Sequence, residues 1–93
     1  MTIEWTDRAL ARLGESHDYI ARDAPERAAE FCKVLIQATE QFERFPFSGA
    51  LLPEDAAYRQ LVVAEYRIVY RIAASAVYVM TIVSPEMTVE RAR

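Results

Sequence analysis

The sequence predicts an α+β domain in which a helical hairpin packs on one face of a small antiparallel sheet. Three observations predict it. Residues 7–44 carry apolar side chains at helical spacing, and residues 58–83 fall into runs rich in Val, Ile and Tyr. Between them Phe45-Pro46-Phe47-Ser48-Gly49 punctuates the chain where the period changes from about 3.6 to 2.

The first element is a short strand, Thr2 to Trp5. Thr6 then suits a helix N-cap, because its hydroxyl can accept from an orphan amide, and Asp7 suits the positive end of the helix dipole. Leu10, Leu13, His17 and Ile20 form the stripe of a one-sided helix over Asp7 to Arg22. His17 on that stripe is expected to be a core or interface residue making one polar bond, and Gly14 to cost the helix up to about 1 kcal/mol. Asp23-Ala24-Pro25-Glu26 breaks the chain and restarts it, since proline disfavours helix at Ala24 yet fits a first turn. The second helix, Pro25 to Arg44, buries Ala28, Phe31, Cys32, Leu35, Thr39 and Phe42. So short a link implies an antiparallel pair.

After a loop to about Ala56, three strands follow, Tyr58–Val63, Tyr66–Ile72 and Val77–Val83, joined by Ala64-Glu65 and Ala73-Ala74-Ser75-Ala76. Their order predicts a β-meander. Ser84-Pro85 stops the last strand and residues 85–93 read as a polar tail. The order is βααβββ in one domain, residues 1–93, with no room for a second core.

Composition narrows the function. The chain has 93 residues, 53% of them hydrophobic, which fits a globular domain. No apolar run reaches the length of a membrane span, and the start lacks the order of a signal peptide, so no membrane role is expected. A single Cys32 forms no internal disulfide and points to a reducing, cytoplasmic setting. No His, Cys or carboxylate cluster has ligand spacing, so no metal and no other cofactor is expected. Net charge is −3. Residues 1–46 hold six basic and nine acidic side chains and residues 47–93 five of each, whereas nucleic-acid binders are usually basic overall.

The candidate site lies on the middle strand. Alternation sends Tyr66, Ile68, Tyr70 and Ile72 to one face and Arg67, Val69 and Arg71 to the other. The helices should cover the first, because an unpaired buried arginine is costly. Arg67 and Arg71 then flank Val69 on a face open to solvent or a partner, and Arg59 joins them if register allows. Guanidinium forks favour carboxylates and other anions. Trp5, Phe45 and Phe47 are candidates for an apolar groove, with core packing the alternative.

Arg59-Gln60-Leu61, followed by Glu65-Tyr66-Arg67-Ile68-Val69-Tyr70-Arg71-Ile72, resembles the Tyr-Arg strand core of RelE/ParE toxins. Phe45-Pro46-Phe47-Ser48-Gly49 is similar to the segment that ends their second helix, and Ile3 to Ala9 to their first strand entering helix one. The resemblance spans about Thr2 to Val83. It implies a toxin of a type II toxin–antitoxin operon, neutralised in a hetero-oligomer by a cognate antitoxin, of ribbon-helix-helix type. RelE-like members cleave mRNA on the ribosome with basic residues, and Arg67 matches their strand arginine. ParE-like members are inhibitors of DNA gyrase. Here Ser84-Pro85-Glu86 stands where the nucleases carry a basic segment, and an anion beside a phosphate opposes catalysis. The resemblance therefore implies the ParE-like branch, with Arg59, Arg67, Val69 and Arg71 as contacts to target or antitoxin. A RelE-like nuclease with Arg67 catalytic, and a non-toxic antitoxin-binding module, are the alternatives.

Overall fold

The computed structural model describes residues Met1–Arg93. Strand β1 (Thr2–Trp5) leads into α1 (Asp7–Ala21) and α2 (Pro25–Glu40), which a 3-10 turn over Gln41–Glu43 extends. Then come β2 (Ala50–Leu51), β3 (Arg59–Val63), β4 (Tyr66–Ala73), β5 (Ala76–Val83) and a one-turn helix α3 (Val89–Ala92). The α+β class and the hairpin on one sheet face stand as expected. The sheet is mixed, in the order β1-β5-β4-β3-β2, because β1 lies parallel to β5 while the meander β3–β5 and the added β2 are antiparallel. No helix is long and apolar enough to cross a membrane.

The helix boundaries follow local chemistry. Thr6 caps α1, accepting from the Ala9 amide at 3.1 Å, and Pro25 opens α2. The buried face of α1 is Ala9 and Leu13, while Leu10 is 52% exposed, so the stripe is turned by about one residue from the expected one. His17 is half-exposed and bonds only its neighbour Asp18, at 3.1 Å. Cys32 is half-buried, and burial, followed by the nearby Asp18 carboxylate, pushes its thiol above the ordinary range.

The main core joins Ala9, Leu13, Leu35 and Phe42 of the helical layer to Ile68, Tyr70, Val77, Val79 and Ile82 of the sheet. Phe42 stacks on Tyr70 with ring centroids 3.9 Å apart, an arrangement worth about 1 kcal/mol beyond burial. A second core lies on the opposite face, where Leu52, Val69 and Val83 meet Val89 and Ala92 of α3. The segment after Pro85 is therefore a folded cover of that face, which corrects the expectation of a polar tail. Thr88 accepts from the Arg91 amide at 3.2 Å and caps the turn, and Val89 and Ala92 share its inner side.

One irregularity lets both cores form. Val69 pairs with Thr81 and Tyr70 with Val79, so Met80 is the extra residue of a bulge. Before it Val77 and Val79 face the helices; after it Ile82 does, and Thr81 and Val83 face α3. Thr6 anchors the bulge, its hydroxyl reaching the Val79 and Met80 carbonyls, each at 3.0 Å.

The β3–β4 turn places Ala64 and Glu65 at φ of 51° and 69°. Two successive positive values are the conformation that favours Asn-Gly. Replacing the pair by Ala64→Asn with Glu65→Gly should stabilise the protein by about 1–2 kcal/mol in urea unfolding, because neither new residue is strained there.

Candidate partner-binding surface

Directly opposed residues in an antiparallel pair share a sheet face. Arg67 lies opposite Val62 on one side and Val83 on the other, and Arg71 opposite Tyr78, all on the face away from the helical hairpin. The alternation on β4 thus places Arg67, Val69 and Arg71 together, as expected. Arg59 does not join them, since it pairs with Tyr70 and lies on the helical side. Register decides the matter, and register is set by where the Ala64-Glu65 turn falls.

The three side chains on the shared face differ in state. Val69 is buried under α3 at 3% exposure, so it contributes packing rather than contact surface. Arg67 is engaged: its Nη2 donates to Glu54 Oε2 at 3.0 Å, and its Nη1 to Glu54 Oε1 at 3.3 Å and Gln60 Oε1 at 2.9 Å. Arg71 is exposed and has no carboxylate partner.

The Arg67 fork holds the Glu54 carboxyl below its ordinary range. A carboxyl with a lowered folded pKa stabilises the fold above its unfolded value, roughly 4.3, and that stability is lost as pH falls through the folded value. Glu54→Gln should therefore flatten the acid limb of thermal stability between about pH 3 and 5 and leave its shape near neutrality unchanged.

On the helical side Arg59 belongs to a different cluster. Its Nη1 donates to the Gly49 carbonyl at 2.7 Å, and its guanidinium lies 4.9 Å from the Phe47 ring centroid. Tyr70 supports the same loop from below: its hydroxyl donates to the Pro46 carbonyl at 2.8 Å and accepts from the Gly49 amide at 2.9 Å. Burial pushes the Tyr70 phenol above its ordinary range, partly offset by the Gly49 amide and by Arg59. Phe45 and Phe47 are thereby held outward, 64% and 66% exposed, and with Arg44, Pro46 and Ser48 they line a concavity of about 440 Å3. Trp5 is separate from this pair. It is half-buried against the main core on β1, at the sheet edge opposite β2 and β3.

Sequence reasoning missed the tail. Arg12 donates to the Arg91 carbonyl at 2.9 Å and the Ala92 carbonyl at 3.3 Å, Thr81 to the Ala92 carbonyl at 2.6 Å, and Arg8 to the main-chain oxygen of Arg93. Arg93 pairs with Asp55 at 2.8 Å and lies over the Tyr58 ring. Arg8, Tyr58, Met80 and Arg93 help line a cavity of about 320 Å3 beside the bulge. The signal was present in Thr88-Val89-x-x-Ala92, a cap followed by apolar residues three apart.

The ParE toxin of type II toxin–antitoxin systems, parDE, is the family whose model matches, over residues 3–88. The chain belongs to this family. Among curated proteins, the candidate toxin Y4kP of Sinorhizobium fredii is 38% identical over 73 residues, covering 76% of this chain and 75% of that protein. A chain of the chromosomal ParDE toxin–antitoxin structure from P. aeruginosa superposes with a TM-score of 0.78. It shares 21% identity, over 88% of this chain and 92% of its own, and so is similar in fold.

In this ParE-family chain the surface divides into two regions. One is the β4–β5 face, with Arg71 free beside a neutralised Arg67 and the α3 cover. The other is the Phe45–Phe47 loop with Arg44 and Arg59. What these groups supply is charge-assisted hydrogen bonding and aromatic contact, the ingredients of protein recognition.

Proposed function

We propose that the protein is a ParE-type toxin that works in the cytoplasm by binding and inhibiting DNA gyrase. A cognate antitoxin of ribbon-helix-helix type neutralises it in a hetero-oligomer. Family membership supports the toxin reading, and one observation favours binding over catalysis. Arg67, the arginine that aligns with the strand arginine of the RelE-like nucleases, has its guanidinium occupied by Glu54 and Gln60. A cation spent on an internal carboxylate has little charge left for a scissile phosphate. Arg71, exposed on the same strand, is the residue we assign to target contact.

Purified protein should inhibit gyrase supercoiling and leave ribosome-bound mRNA intact. Arg71→Ala should weaken inhibition roughly tenfold without a change in unfolding midpoint, as for a contact arginine that supports no packing. Ribosome-dependent cleavage that disappears in Arg67→Ala would overturn the reading in favour of a nuclease. Expression that leaves growth unaffected would overturn it in favour of a non-toxic antitoxin-binding module.

A further inference from the structure

The cavity beside the Met80 bulge has a one-sided charge. It measures about 320 Å3, at the low end of the ~300–1,000 Å3 usual for small-molecule sites. Val69 and Met80 supply apolar wall, while Arg8 in the first turn of α1 and Arg93 at the end of α3 reach it from two separate elements. No carboxylate lines it, in a chain of net charge −3.

The hydrogen-bonding groups of the wall point the same way. Both threonine hydroxyls spend their protons inside the protein, Thr6 on the Val79 and Met80 carbonyls and Thr81 on the Ala92 carbonyl. Arg8 gives one nitrogen to the main-chain oxygen of Arg93, and Arg93 gives one to Asp55, which stands outside the cavity wall. A guanidinium carries five N–H groups, so each arginine keeps donors to spare. Arg8 has no side-chain carboxylate partner. Among the tyrosine hydroxyls only that of Tyr70 is bonded, so the one on Tyr58, which lines the same wall, is unspent. What the cavity has left to offer is donors and positive charge beside apolar surface.

We infer that this cavity is a binding site for a small organic anion, a carboxylate or phosphate monoester on a short apolar body. The anionic head lies between the Arg8 and Arg93 guanidiniums, where charge-assisted bonds to both offset the repulsion of two like charges. The body lies on Val69 and Met80, beside the Tyr58 ring. Since Arg8 belongs to α1 and Arg93 to the end of α3, the bound anion ties the cover to the helical hairpin. It therefore stabilises the seated form of α3, and with it the burial of Val69. The site does not include Arg71, and it stands or falls independently of the toxin reading.

The full chain is titrated with benzoate, phenyl phosphate and neutral benzyl alcohol, at one ionic strength held with sodium chloride, and followed by NMR. The anions should shift the Val69, Met80 and Thr81 resonances saturably, the tighter of the two identifying the head group. Benzyl alcohol should bind at least roughly tenfold more weakly. At a tenfold excess over Kd, the anion should raise the unfolding midpoint by about 5–10 °C. Arg8→Gln and Arg93→Gln should each weaken anion binding by roughly tenfold or more. Arg71→Gln, on the same sheet face outside the cavity, should leave it unchanged. Arg8→Gln also loses a bond to the tail, whereas Arg93→Gln keeps the main-chain oxygens of α3 clasped, and Val89 methyl shifts report whether the cover stays seated. Equal binding of benzyl alcohol would reduce the cavity to an apolar void and overturn the site. So would shifts that fail to saturate with either anion, or affinity that survives both arginine variants with α3 in place.

Discussion

Gly49→Ala is expected to destabilise the protein by about 3 kcal/mol, the upper range for overpacking a closed site. A Cβ at this position would stand 2.4 Å from the Gln60 carbonyl oxygen, 2.7 Å from the Tyr70 hydroxyl and 2.9 Å from Tyr70 Cε1. The first of these neighbours is main chain in β3, so the strand itself would have to move. Tyr70 cannot yield either, because it is fully buried, stacked on Phe42 and bonded to both Pro46 and Gly49. No positive φ is involved; the glycine is needed for close approach alone. Urea unfolding measures the loss. Tyr70→Phe is the companion experiment: it leaves the ring but strips the Pro46 carbonyl and the Gly49 amide of their partner, at a cost of about 1–3 kcal/mol. A Gly49→Ala midpoint equal to that of the wild type would mean that the loop and β3 separate easily.

Val89→Asp should have an effect of similar size on the other face. Val89 is 1% exposed and packed with Leu52, Val69 and Val83. A charge placed there has to be protonated or driven out, and either detaches α3 from the sheet. We expect a loss of more than about 3 kcal/mol, together with binding of a hydrophobic dye to the uncovered strip. Arg12→Ala separates the cover from its clasp. That variant keeps Val89 in place but removes the Arg91 carbonyl's side-chain donor and leaves the Ala92 carbonyl with Thr81 alone, and should cost about 1–2 kcal/mol.

How far the sequence carried these conclusions differs from residue to residue. Thr6, Pro25 and the Tyr66–Ile72 alternation were legible because each depends on its own local chemistry: a cap, a fixed φ, a two-residue period. Arg59 was not, because its facing depends on cross-strand register. The strand β5 was misleading in a similar way. A strict alternation would place Val77, Val79, Thr81 and Val83 on one face, whereas the Met80 bulge transfers the last two to the other. On α1, Ala9 rather than Leu10 is buried, since closeness of helix to sheet favours a small residue that hydropathy ranks low. The docking of α3 rests on Arg8 and Arg12, some eighty positions earlier, and a polar-looking tail gives little sign of so distant a clasp. The Phe45–Phe47 loop was readable as a break, but its rigidity comes from Tyr70 and Arg59, both more than ten residues away.

The parallel pairing of β1 with β5 has a consequence for the order of events in the cell. Thr2 pairs with Ala76 and Trp5 with Val79, so the first strand made waits for one of the last. At roughly 5–20 residues per second the ribosome delivers that partner only several seconds later. Until then α1 lacks the strand it packs on, and the β3–β4 hairpin lacks its inner neighbour. Chains ended early by a premature stop or a stalled ribosome therefore never assemble the surface on which the arginines sit. The arginine face and its α3 cover are thus among the last parts of the molecule to be completed.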